Sequence, residues 1–317
     1  MELLIFYDEG CLLHDNGPGH PERPERIQSI IRRVEAGEYG PAPRVVAPRQ
    51  ARREEIERVH ACDYVDAIEA SAGSDRTVFD ADTSANAHTF RAAMLAAGGA
   101  VAAVRTVCSG EAVRPFVVMR PPGHHAERDR AMGFCIFNNA AVAAADALAG
   151  GLERVAIVDY DVHHGNGTEH IFADRRDVLY VSLHEYPHYP GTGRSADTGH
   201  DAGAGYTVNV PLPTGSGAAE YLHAFDEIVL PALDRYAPQL VIVSAGFDGH
   251  GNDPLAGMQL DGPAYAAMTR GLVEVADRHA EGRIVHLLEG GYDVAGLADG
   301  FGAVVGALGF GRDLDDA

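Results

Sequence analysis

The stretch Val155 to Gly167, VAIVDYDVHHGNG, places the tightest limit on how this chain can fold. Its first four residues, Val155-Ala156-Ile157-Val158, are a β-branched run suited to a strand buried on both faces. The run gives way at once to Asp159, Asp161, His163 and His164, then to Gly165 and Gly167. If extended geometry continues, Asp159, Asp161 and His163 alternate onto one face while Tyr160 and Val162 point to the other. Three polar groups then converge at a strand end. Carboxylate and imidazole donors at this spacing suit a borderline divalent ion such as Zn²⁺, which needs a further protein ligand and an open position to be catalytic. Asp and His also serve at strand ends in turns and surface hydrogen bonds, and the pair alone leaves both readings open.

The rest of the chain repeats that unit. Strands are expected at Leu3 to Tyr7, Phe116 to Met119, Val155 to Tyr160, Val178 to Leu183, Tyr206 to Val210, Leu240 to Ser244 and Ile284 to Leu288. Helices are expected at Glu25 to Glu35, Arg53 to Val59, Tyr64 to Ala72, Phe90 to Val107, Asn138 to Leu148, Ala218 to Tyr236, Pro263 to His279 and from Leu297 onward. The segments between include a turn-rich stretch from His14 to Ile27, a loop with Pro41, Pro43 and Pro48, and a polar loop from Gly73 to His88 carrying Asp75, Asp80 and Asp82. Gly98 and Gly99 interrupt an Ala-rich helix where another element can approach closely. Continuous apolar strands separated by helices imply an α/β fold with a mostly parallel sheet covered on both faces. No linker or composition break divides residues 1–317, which therefore read as a single domain.

Composition narrows the partners. The 317 residues are 46% hydrophobic, enough for a full core, and no apolar run reaches membrane-spanning length. MELLIFYDEG lacks a basic region before its apolar residues, so it reads as a first strand and not a signal peptide, which points to the cytoplasm. Cys11, Cys62, Cys108 and Cys135 lie far apart and are expected to stay reduced. With 25 basic and 46 acidic residues, the net charge of −21 disfavours nucleic acid and suits a cationic small molecule or basic peptide. An acidic surface that only maintains solubility fits equally well. Nothing in the sequence fixes the oligomeric state, and an oligomer is compatible with it.

Each strand of the second half runs into a loop rich in reactive groups: RPPGHHAERD after Met119, YDVHHGNG after Asp159, HEYPHYPGTG after Leu183, GFDGHGNDP after Ala245 and EGGYD after Leu288. In a parallel sheet these loops share the crevice beyond the carboxyl ends of the strands, the usual ligand site. Asp248 follows its apolar run as Asp161 follows its own, and so becomes the third candidate ligand. His124 and His125, approached through Pro121-Pro122-Gly123, can divide proton transfer and electrostatic stabilisation between them. Tyr292, after Gly290-Gly291, can donate its hydroxyl to a developing oxyanion. Neither a dinucleotide GxGxxG fingerprint nor a phosphate loop is present.

The motifs RPPGHHA, GFCIFNNAAVAA, VDYDVHHGNGT, VSLHEYPHYPGTG, NVPLPTGSG, SAGFDGHGNDPLAGM and LLEGGYD resemble the zinc-dependent histone deacetylase superfamily, which includes bacterial deacetylase-like amidohydrolases and acetylpolyamine amidohydrolases. The likeness runs from Tyr7 to about Gly309 and implies the arginase/deacetylase fold. It further implies that Asp161, His163 and Asp248 hold Zn²⁺, that His125 is the general base and acid, and that His124, held by Asp159, is its electrostatic partner. Tyr292 would be the oxyanion donor, and Phe134 and Tyr189 the walls of a narrow acyl-lysine channel. Structural K⁺ would sit at Asp159, Asp161, His163, Ser182 and Leu183, with a second ion near Phe172, Arg175, Val178 and Tyr206. Asn166 replaces the aspartate usual behind the second histidine in class I enzymes, which aligns the chain with the class II and bacterial branch. Tyr189 replaces the usual phenylalanine, and Tyr292 distinguishes the chain from class IIa enzymes, which carry histidine there.

The implied activity is hydrolysis of an acetylated lysine peptide or a small acetylated amine. Leu255 stands where eukaryotic polyamine deacetylases place a gatekeeping glutamate, and the segment from His14 to Ile27 is too short for the insertion of bacterial acetylpolyamine amidohydrolases. Both features favour acyl-lysine. The alternatives are a polyamine substrate, a non-catalytic acyl-binding scaffold, and arginase-like chemistry with two manganese ions.

Overall fold

The computed structural model describes residues 3–39, 43–110 and 114–310. The expected turn at Pro41 and the chain beyond Phe310 lie outside them. In order, the elements are β1 (Leu4–Phe6), α1 (Pro24–Glu35), β2 (Arg44–Val46), α2 (Arg53–Ile56), α3 (Cys62–Ser71), β3 (Thr77–Val78), β4 (Ser84–Ala85), α4 (Thr89–Cys108) and β5 (Phe116–Val117). They continue with α5 (Asn139–Ala149), β6 (Val155–Asp159), α6 (Asn166–Phe172), β7 (Val178–Glu185), β8 (Thr207–Leu212), α7 (Ala218–Ala224) and α8 (Leu230–Tyr236). The last are β9 (Leu240–Ala245), α9 (Gly262–His279), β10 (Ile284–Leu288) and α10 (Val294–Val305).

Eight strands form one parallel sheet in the order β2-β1-β5-β10-β9-β6-β7-β8. β6, β9 and β10 are buried along their whole length, which is why they read as unbroken apolar runs without alternation. In register, Asp159 lies beside Ser182 of β7 and Ser244 of β9, so the polar groups that follow the three strands emerge at one level. Against the expectation that no run reaches spanning length, α4 is the one described helix long and apolar enough to cross a membrane, but it packs into the core with 72% of that stretch buried. Its Gly98 allows the chain at Arg49 to Ala51 to lie directly against the helix, where Ala51 N–H donates to Met94 O at 2.7 Å. A side chain at that position would overlap this backbone.

Four local expectations are corrected. β6 ends at Asp159, so the residues after it do not continue as a strand; Asp159 accepts from Asp161 N at 3.2 Å and faces His124, and is not part of the three-donor cluster. Asn166 opens α6, a helix hidden in the sequence by the glycines on either side of it. The segment from Gly73 to His88 contains the β3–β4 hairpin, and the proline-bounded loop contains the edge strand β2; both are too short to leave a pattern. Ala218 to Tyr236 is not one regular helix: a π turn at Phe225–Val229 joins α7 to α8, whose first turn carries Pro231. Proline offers no amide hydrogen and crowds the preceding turn, and the wider turn relieves both constraints.

The turn-rich segment between His14 and Ile27 buries His14, Asn16, Glu22 and Arg26. Glu22 receives Arg120 through both oxygens, at 2.8 and 2.6 Å, and Arg26 at 3.2 Å. Arg120 also donates to the carbonyl of His14, whose ring lies between Thr89 Oγ1 at 2.8 Å and Asn16 Nδ2 at 3.1 Å. Burial alone would raise the Glu22 carboxyl, but Arg120, His14 and Arg26 bring it down to about 2, while burial pushes His14 down to about 4. Both groups bind protons less readily folded than unfolded. Their stabilisation is therefore complete above about pH 6.5 and is lost as pH falls, first through His14 and then, below 4.5, through Glu22. Glu22→Gln is expected to cost about 3 kcal/mol at pH 7, because it leaves Arg120 buried without its carboxylate. Denaturant melts from pH 7 to 3 should show that deficit shrinking toward acid; a pH-independent deficit would mean that Glu22 acts by packing alone.

Candidate active site

The crevice beyond the carboxyl ends of β5, β6, β7, β9 and β10 collects the expected residues, and the hydrogen bonds explain how each is held. Asp161 Oδ1 accepts from the His163 backbone at 2.9 Å and Oδ2 from Gly290 N at 2.8 Å. Asp248 Oδ1 accepts from Val162 N at 3.0 Å. The His163 ring nitrogen Nδ1 then lies 3.2 Å from Asp161 Oδ1 and 3.1 Å from Asp248 Oδ2. Donor atoms of these three buried residues fall within 4.8 Å of one another. The carboxylates press on each other through Gly290, where a Cβ would overlap both.

This donor set fits a divalent cation. Burial, and secondarily the charge of Asp161, pushes the Asp248 carboxyl up to about 7. Burial lowers His163, but the hydrogen bonds it donates to Asp161 and Asp248 outweigh it and raise the imidazole to about 10. Without a metal, the Nδ1 proton must bridge two carboxylates that would otherwise be uncompensated. A metal takes the place of that proton, and one nitrogen with two carboxylate oxygens is a catalytic zinc set. A second buried group, His124, Cys135 and Glu289, is also compact. Its donors are already engaged: Glu289 accepts from Gly123 N at 2.6 Å, His124 N at 3.2 Å and Ser244 Oγ at 3.1 Å, and His124 Nδ1 faces Asp159. It braces the loop and presents no shared open point.

Backbone contacts fix the histidine pair from below. Thr168 N, in the first turn of α6, donates to His124 O at 3.2 Å, and Asn138 Nδ2 reaches Ala126 O at 3.2 Å. The two rings, 4.0 Å apart, have different supports. His124 Nδ1 meets Asp159 Oδ2 at 3.0 Å, and Tyr180 OH donates to the same oxygen at 3.1 Å. His125 Nδ1 meets Asn166 Oδ1 at 2.7 Å. Burial opposes charge on both, yet Asp161 and Asp159 hold His124 well above the usual imidazole value. At His125 burial prevails, aided by the charges of His124 and His163, and the ring lies well below that value. Adjacent titratable groups driven apart in this way can take opposite parts in proton transfer.

Tyr292 closes the other side. Arg26 lies 4.8 Å over its ring and Phe134 meets it edge-on at 5.7 Å. Its hydroxyl has no hydrogen-bond partner among the described residues. Phe134, with φ of 68°, is pinned by Thr83 Oγ1 on its N–H at 2.9 Å and by the edge of His20 at 4.5 Å. Tyr189 sets its ring edge-on to His125 at 5.1 Å and to His163 at 6.1 Å. Tyr189 is 37% exposed, so its ring lies at the rim of the crevice. Leu255 is half-buried on the loop after β9. Ser182 and Leu183 lie in β7, while Phe172, Arg175, Val178 and Tyr206 gather at the opposite end of the sheet, where Tyr206 O accepts from Tyr180 N at 3.0 Å.

Four positions went unnoticed in the sequence. Asp253 accepts from Tyr292 N at 2.6 Å, Asp293 N at 3.1 Å and Leu255 N at 3.0 Å, and so ties the backbone at Tyr292 to that at Leu255. Arg26 donates to Gly291 O at 2.6 Å and Glu289 O at 2.5 Å. Glu289, just after β10, ties the loop after β5 to strand β9, and Glu127 contacts Asn166. Only the turn-forming Asp253-Pro254 pair left a local trace.

Comparison with known proteins agrees with this geometry. The histone deacetylase domain model matches residues 20–308. A probable deacetylase of Archaeoglobus fulgidus is 40% identical over 295 residues, covering 92% of this chain and 82% of that protein. A histone deacetylase-like amidohydrolase of Pseudomonas aeruginosa is 40% identical over 312 residues, with the same coverage of 92% and 82%. The crystal structure of the HDA15 HD domain superposes with a TM-score of 0.92 at 38% identity, covering 97% of this chain and 88% of that one. The chain belongs to the zinc-dependent histone deacetylase superfamily and is an amidohydrolase of acylated amines.

Proposed function

We propose that the enzyme removes acetyl or other short acyl groups from the side-chain amine of lysine, with Asp161, His163 and Asp248 holding one Zn²⁺. The carrying observation is the unpartnered hydroxyl of Tyr292 at the same crevice as His125 and the three-donor cluster. When bound, zinc supplies a Lewis acid for the amide carbonyl and lowers the pKa of water. His125, with Nδ1 engaged by Asn166, takes the water proton at Nε2 and returns it to the amide nitrogen, which otherwise leaves very poorly. Tyr292 donates to the carbonyl oxygen as negative charge develops there, and His124 adds positive charge beside it. The products are a carboxylate and a free amine. Phe134 and Tyr189 supply aromatic walls for the aliphatic stem, and half-buried Leu255 offers no carboxylate to a second ammonium group. K⁺ is proposed at the Asp159, Asp161, His163, Ser182 and Leu183 group and near Phe172, Arg175, Val178 and Tyr206. We place the enzyme in the cytoplasm; its four cysteines are all free.

The test is a panel of acyl-lysine peptides of increasing acyl length, N-acetylputrescine and N8-acetylspermidine under one set of conditions. The expected result is a kcat/KM for acetyl-lysine peptide at least about tenfold above either polyamine, the discrimination that one misplaced polar or charged group can produce. A large polyamine preference would reject the lysine reading while leaving the amidohydrolase class intact.

A further inference from the structure

Behind His125 the hydrogen bonds continue beyond Asn166 to a carboxylate. Asn166 Nδ2 donates to Glu127 Oε1 at 2.6 Å, and Glu127 in turn receives His170 Nδ1 at 2.9 and 3.1 Å. Glu127 is 8% exposed, whereas the His170 side chain is 49% exposed, so the chain runs from the buried ring to the surface. A carboxylate only accepts hydrogen bonds, whereas an amide can present either end. Glu127 therefore dictates which end of Asn166 faces it: the NH₂ turns to Glu127, and Oδ1 must turn to His125. An oxygen at 2.7 Å from Nδ1 requires the ring proton to sit on Nδ1, which leaves Nε2 as the unprotonated nitrogen. Reversal of the amide would reverse the tautomer and leave Nε2 unable to accept a proton.

We propose that Glu127 is a positioning residue that sets the tautomer of His125 through the orientation of the Asn166 amide. The inference rests on the reading of His125 as general base. It also accounts for a difference between the two histidines: His124 leans on a carboxylate directly, whereas His125 meets one only through a neutral amide, which holds the ring in place without putting a full negative charge against it.

The donor and acceptor pattern provides its own test. Glu127→Met keeps length and removes the acceptor, so kcat should fall about tenfold or more with KM and bound zinc within about twofold of wild type; a wrong tautomer can cost up to about 10⁴. Asn166→Asp alone sets two carboxylates against each other and should also impair kcat. Adding Glu127→Gln to Asn166→Asp reverses the polarity of the pair, since glutamine donates where glutamate accepted, while an oxygen still faces His125. The double variant should recover most of the activity that Asn166→Asp alone loses, short of wild type because the aspartate sets a charge against the ring that asparagine does not. On the zinc-loaded full chain, ¹⁵N spectra of the histidine rings, with the His125 signals assigned through His125→Ala, should show a protonated Nδ1 and an unprotonated Nε2 in wild type. Glu127→Met should lose that assignment.

A Glu127→Met enzyme with near wild-type kcat, or a double variant no better than Asn166→Asp, would overturn the proposal. If the wild-type chain hydrolysed no amide, the base assignment would fail instead. The spectra would then decide the tautomer claim alone, which an unchanged His125 pattern in Glu127→Met would refute.

Discussion

His125→Ala is expected to lower kcat by about 10²- to 10⁴-fold, the range for removing a positioned acid–base group. Two features of the site point to the upper part of that range. The ring is buried, away from bulk water, and the proposed mechanism uses it twice, once to accept a proton and once to return it to the amine. Its nitrogens are not among the three metal donors, and its ring centroid lies 6.0 Å from that of His163. Bound zinc should therefore remain near one per chain and KM should change little. Steady-state kinetics on one acetyl-lysine peptide, paired with metal analysis of the same preparation, checks both points. A variant that lost zinc along with activity would mean that His125 supports the metal centre and not proton transfer.

Tyr292→Phe is the second large effect. Removal of one oxyanion donor, the role proposed here, costs about 10²- to 10³-fold in kcat, and among the described residues this hydroxyl has no hydrogen-bond partner whose loss would add to that figure. The ring would remain between Arg26 and Phe134, and the backbone would remain on Asp253, so folding and zinc content should be unchanged. The double variant with His125→Ala should be much less impaired than the product of the single losses, because both groups act on the same developing intermediate. Near wild-type kcat in Tyr292→Phe with full zinc would return Tyr292 to a packing residue at a glycine turn.

How much of this was legible in the sequence depended on the physical reach of each signal. β6 and β9 are long, apolar and followed at once by Asp161, His163 and Asp248, so strand, crevice and donor set could all be read from local order. The supports could not. Glu22 and Arg26 sit in a stretch of charges and prolines that looks solvent-exposed, yet both are buried because their partners arrive from Arg120 and from Gly291, about 100 and 265 residues away in sequence. Asp253 and Glu289 are ordinary loop carboxylates until the loops after β9 and β10 are placed side by side. Asn166 was recognised as the partner of His125, but not as the first residue of a helix, because Gly165 and Gly167 hide the start of α6. Strand alternation groups Asp159 with the metal donors, but β6 ends at that residue and its carboxylate meets His124. The resemblance had already paired Asp159 with that histidine.

The most direct test of the central claim is metal-reconstituted amide hydrolysis. Protein purified without chelator should contain about one zinc and no stoichiometric manganese per chain, release acetate from an acetyl-lysine peptide, and lose that activity when the metal is stripped. One equivalent of zinc should restore it. Two bound manganese ions per chain, or no hydrolysis of any acylated amine by protein that carries its full equivalent of zinc, would contradict the account.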